Sequence, residues 1–142
     1  MRNGRVAGVR SSSLVAPEGV RSGTVEFLDR AELLLSQSLM VPAAEKLELS
    51  YQAALRVAGA VQAQRPARKR TVDKGAWARL RRVAPEYGEW ADRFEGFHPI
   101  RERVRIGLDR SPDPAIVAEI NRSARDFVAL VEADLGMLQA AA

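Results

Sequence analysis

The chain of 142 residues contains no cysteine and a single histidine, His98. The first absence excludes disulfides, zinc fingers, iron-sulfur clusters and thiol nucleophiles. The second excludes two-histidine metal sites of the HExxH kind and leaves one imidazole for acid-base chemistry. No apolar run approaches the 18 or so residues that span a bilayer, and no segment anchors the chain in a membrane. The ten glycines never fall into GxGxxG, and no GK[ST] follows one, so nucleotide cofactors have no evident seat. No cofactor and no metal are expected.

What is present is arginine. It outnumbers lysine 19 to 3, a bias that a GC-rich coding sequence produces by itself, and the formal net charge is +4. The excess is uneven. Residues 1–23 carry Arg2, Arg5, Arg10 and Arg21 against Glu18, and residues 65–82 carry eight basic side chains against Asp73 alone. Within that block Arg65, Arg68, Lys69, Arg70 and Lys74 form a candidate nucleic-acid contact, since clustered cations release counterions from a phosphate backbone. The block has no interleaved Phe, Tyr or Gly on which bases could stack, and a solvated basic loop explains it equally well.

Residues 1–23 mix Arg, Ser and Gly with isolated valines and show neither helical nor strand period, which predicts a disordered tail whose removal leaves stability unchanged. Arg10 and three serines interrupt any secretory core, so a cytoplasmic location is expected. From Thr24, a candidate helix cap, residues Val25, Leu28, Ala31, Leu35 and Leu39 repeat at spacings of three and four up to about Met40. Pro42 opens a second helix with Leu47, Tyr51, Ala54, Ala58 and Val61 on one face. Its small-residue stretch around Gly59 permits close approach of another helix.

Asp73 is a plausible cap for a short helix with Trp77 and Leu80, and Pro85 starts the turn leading to Trp90, Ala91, Phe94 and Phe97. At helical spacing these aromatics read as core. Gly96 and Pro99 predict a break, after which Ile100, Val104 and Leu108 face inward and Arg101, Arg103 and Arg105 outward. Pro112 and Pro114 introduce a last helix running from Val117 through Ile120, Ala124, Phe127, Val131 and Leu135 to Leu138. No segment alternates with period two. The fold class is therefore all-α, an antiparallel bundle of four to five helices over residues 24–142.

YQAALRVAGA in the second helix, AWARLRRVAPEYGEWADRF in the middle and ARDFVALVEADLG in the last helix resemble the HEPN superfamily, in particular its actinobacterial SAV-type branch, over roughly residues 24–138. The resemblance implies an antiparallel helical bundle that forms a homodimer, with RNA or a nucleotidyltransferase-type protein as partner. In the catalytic families of this superfamily, an arginine and a histidine four to six residues apart meet their counterparts across the dimer and cleave RNA without metal. Arg93 and His98 stand at that spacing, but Phe94 occupies the place of the usual polar residue after the arginine. Glu89, four residues before Arg93, offers an intrahelical ion pair instead, and His98 before Pro99 can cap a turn. Two functions follow: a non-catalytic dimeric interaction module, or a metal-independent endoribonuclease using Arg93 and His98.

Overall fold

The computed structural model describes residues 14–66 and 74–139. Five α-helices carry it: α1 (Ser22–Gln37), α2 (Ala43–Gln64), α3 (Ala76–Val83), α4 (Gly88–Arg105) and α5 (Pro114–Asp134). Single 3-10 turns at Ser38–Met40 and Pro85–Tyr87 join α1 to α2 and α3 to α4. Side-chain pairs fix the directions. Thr24 at the start of α1 meets Ala60 late in α2, while Asn121 early in α5 meets both Ser38 after α1 and Ser50 early in α2. Arg101 late in α4 meets Glu48 early in α2. So α1 and α4 run antiparallel to α2 and α5, and α3 lies across the flank of α2 and α4. Among the described residues no helix is long and apolar enough to cross a membrane.

The core follows the apolar stripes. Leu28, Ala31, Leu35, Tyr51, Ala54, Val57, Ala58, Leu80, Phe94, Phe127 and Val131 are buried together. The aromatics supply much of its volume: Trp77 stacks on Phe94 with ring centroids 5.2 Å apart, and Trp90 on Phe127 at 5.2 Å. The small residues of α2 serve this interior packing. Ala54 and Ala58 are fully buried, and a Cβ added to Gly59 would come 2.8 Å from the Phe27 ring of α1. The helix that the small-residue face lets approach closely is therefore α1 of the same chain.

Several boundaries differ from the sequence reading. Thr24 does not cap α1, which begins at Ser22; Gln64 does the work from the far end of α2, its Oε1 accepting the Arg21 amide at 3.0 Å while its Nε2 donates to the Gly19 carbonyl at 2.9 Å. Of the expected tail, residues 1–13 lie outside the described residues. Residues 14–23 lie on the bundle: Leu14 and Val15 pair antiparallel with Gln139 and Leu138, and Ala16 and Val20 pack on the core. That two-residue ladder is too short to leave an alternating pattern. The last helix ends at Asp134 rather than Leu138, because Gly136 at φ 72° turns the chain back toward the ladder. Asp73 lies outside the described residues, and Gly75 precedes α3.

The break expected at Gly96 to Pro99 is absent. Helix α4 continues through Pro99 to Arg105. A proline there removes one backbone donor and costs about 3 kcal/mol, but Phe94 and Phe97 before it and Ile100 after it are packed against the core, and that burial outweighs the local penalty. Continuity also changes which residues face inward. Leu108 is exposed, whereas Arg101, expected outside, is half-buried.

Candidate functional site

An unbroken α4 decides the placement of the arginine and histidine. Five residues along a helix turn through about 140°, so Arg93 and His98 leave α4 on different faces. Arg93 is exposed and lays its guanidinium over the Trp90 ring, 4.4 Å from the centroid, on the side where Trp90 stacks on Phe127 of α5. This cation–π contact replaces the expected ion pair with Glu89. His98 stands in mid-helix, not at a turn, and its ring lies 6.4 Å from that of Tyr51 in α2. The structure does not bring the two together within one chain.

His98 instead lines a cleft of about 290 Å3 where α2, α3 and α4 meet, with Tyr51, Trp77, Lys74, Glu95 and Arg101 among the other walls. The floor is aromatic: Trp77 Nε1 donates to the Tyr51 hydroxyl at 2.9 Å, and the two rings meet edge to face. Burial pushes the Tyr51 hydroxyl up from its ordinary value, so it stays protonated and makes a poor base. Arg101 is three residues beyond His98 and on the same side of α4. Its guanidinium covers the Tyr51 ring at 4.6 Å and grips Glu48 in a two-pronged bond, Nε to Oε1 at 2.9 Å and Nη2 to Oε2 at 2.8 Å. Burial raises Glu48, yet the hydrogen bonds from Arg101 and Gln52 outweigh it and hold the carboxyl below its usual range.

Two arginines of the basic block are paired with carboxylates. Arg81 bonds Asp92 at 2.8 Å and also pairs with Glu95, and Arg65 pairs with Glu86. Lys74 reaches the rim of the cleft and meets no carboxylate of the described residues. Arg68, Lys69 and Arg70 lie outside the described residues. Of the candidates read from the sequence, then, His98 and Lys74 share one cleft, Arg93 and Arg65 face elsewhere, and Arg101 and Glu48 join the site unannounced. Their pairing spans 53 positions and leaves no local pattern in the sequence.

Chemically the cleft can hold a flat or anionic group between an aromatic floor and a mixed-charge rim. A catalytic imidazole is normally oriented by a third group, and His98 takes no hydrogen bond from the described residues.

Residues 39–132 match the model of the SAV_6107-like HEPN family. No curated protein and no solved structure matches the chain.

Proposed function

The chain belongs to the SAV_6107-like HEPN family, and from that premise we propose that it acts as a non-catalytic interaction module, a homodimer that engages RNA or a nucleotidyltransferase-type protein. One observation carries the reading: the only imidazole stands in its cleft without an orienting partner among the described residues, while the arginine at motif spacing is turned to another face and stacked on Trp90. Between the two partner classes, the neutralisation of Arg65, Arg81 and Arg101 by the chain's own carboxylates favours a protein. Phosphate contacts need cations that are free to replace counterions.

The endoribonuclease reading keeps one specific support, that His98 and Arg101 share the cleft; a nuclease built there would use Arg101 in place of Arg93. Incubating purified protein with cellular RNA in the presence of a chelator separates the two. The module predicts that wild type and His98→Ala leave the RNA equally intact. Cleavage by wild type that disappears in His98→Ala overturns the module, and Arg93→Ala and Arg101→Ala then tell which arginine assists.

A further inference from the structure

A second cleft lies between α1 and α5, remote from His98. Glu32, Leu35, Arg125, Val128, Ala129 and Glu132 line about 220 Å3. Glu132 is only 9% exposed, and its Oε2 is buried with no hydrogen-bond partner. A buried acceptor left unmatched costs about 1–3 kcal/mol, so the group calls for a donor that the described residues do not provide. Arg125 cannot serve. It sits two turns earlier on α5, with Nε committed to Asn121 at 2.9 Å and Nη2 to the Leu35 carbonyl at 3.1 Å. Across the cleft α1 presents Glu32 within hydrogen-bonding reach and Asp29 nearby, so acids face the buried carboxyl from the opposing helix.

We propose that this cleft is a binding site for a cationic group, the guanidinium or ammonium of a basic side chain presented by a protein partner, and that a proton held by the buried Glu132 carboxyl is released to solvent when the cation enters. The proton and the cation answer the same need. Burial, with Glu32 and Asp29 adding to it, pushes the Glu132 carboxyl up to about 8, so at neutral pH it is mostly protonated. An incoming cation stabilises both carboxylates at once and displaces the proton. An organic cation is favoured over a metal ion because no trio of ligating side chains gathers among the described residues. The apolar floor of Leu35, Val128 and Ala129 suits the methylene stem of an arginine or lysine. The site does not depend on the function assigned to the His98 cleft.

The probe is N-acetyl-arginine amide, followed by NMR shifts of α1 and α5 amides and by calorimetry in buffers of different ionisation enthalpy. Saturable binding is expected that strengthens as pH rises from 6 to 8, with release of close to one proton at pH 7. Glu132→Gln, a neutral copy of the protonated form, should fold normally and weaken binding about tenfold, as should Glu32→Gln. Glu119→Gln, an exposed carboxyl elsewhere on α5, should leave it unchanged. Spermidine binding as tightly as the arginine amide would assign the site to a free polyamine and overturn the protein partner. No saturable binding, binding without proton release, or equal affinity in Glu132→Gln would overturn the site itself.

Discussion

At the scale of single residues, the chain's unusual chemistry lies in two carboxyls with opposite fates. Glu48 is half-buried but gripped by Arg101, so it remains ionised. Glu132 is buried against acids, so its carboxyl is raised to about 8. Because the folded chain holds that proton at pH values where the unfolded chain, titrating near 4.5, has lost it, stability should fall as pH rises between about 5 and 8. Glu132→Gln should flatten the curve over that window and raise stability at pH 8 by roughly 1–3 kcal/mol. Urea denaturation at several pH values checks this; parallel curves for both proteins would refute it. Arg101→Met should cost about 1–3 kcal/mol by stranding Glu48, and Arg101→Lys should restore little, since an ammonium cannot make the two-pronged bond. Neither carboxyl's role was legible from local sequence. Arg101 reads as one of three surface arginines. Glu132 does stand four residues after Val128 in α5, at a helical spacing where a charge is costly, and that is the single trace it leaves.

At the scale of elements, the helices were legible wherever an apolar stripe persisted, as along α1, α2 and α5. Misreadings cluster where a local rule competes with burial. Pro99 signals a break, yet α4 is anchored by core residues on both sides of it. Pro99 is exposed, so its ring contributes little packing. Pro99→Ala should then restore the missing donor for the Glu95 carbonyl and stabilise the fold by about 1–3 kcal/mol. An unchanged or lower melting temperature would mean that the proline is fitted to a local bend. Gly59 shows the opposite balance. Its helix penalty is accepted because Phe27 fills the space a side chain would take, and Gly59→Val should destabilise by about 1–3 kcal/mol through overpacking. Once α4 is continuous, the five-residue spacing of Arg93 and His98 places them on different faces of it. The cap on α1 was hidden for a different reason, since Gln64 comes from the far end of the next helix.

At the scale of the whole molecule, the all-α class follows from the absence of period-two segments, and the antiparallel pairing of α1 with α2 from two long stripes joined by a short connection. Which surface remains for another copy is a tertiary fact. The small-residue face of α2 is consumed inside the chain, so it offers nothing to a partner. Of the six large apolar side chains exposed among the described residues, four gather at one end, where α1 and α4 finish and α2 and α5 begin. Met40 is 92% exposed and Leu39 60%, and Ile106 and Leu108 are each 66% exposed. The same end lies beyond the small second core of Leu47, Val117 and Ile120, and a two-fold contact would extend that core with matching patches from both chains. The proposed dimer should therefore depend on this end. Sedimentation at micromolar concentration should give twice the 15.6 kDa of one chain, and Met40→Asp with Leu108→Asp should give single chains whose helical circular dichroism is unchanged, since both positions are exposed. A wild-type protein that sediments as one chain would remove the dimer, and a double variant that still pairs would move its interface away from this end of the bundle.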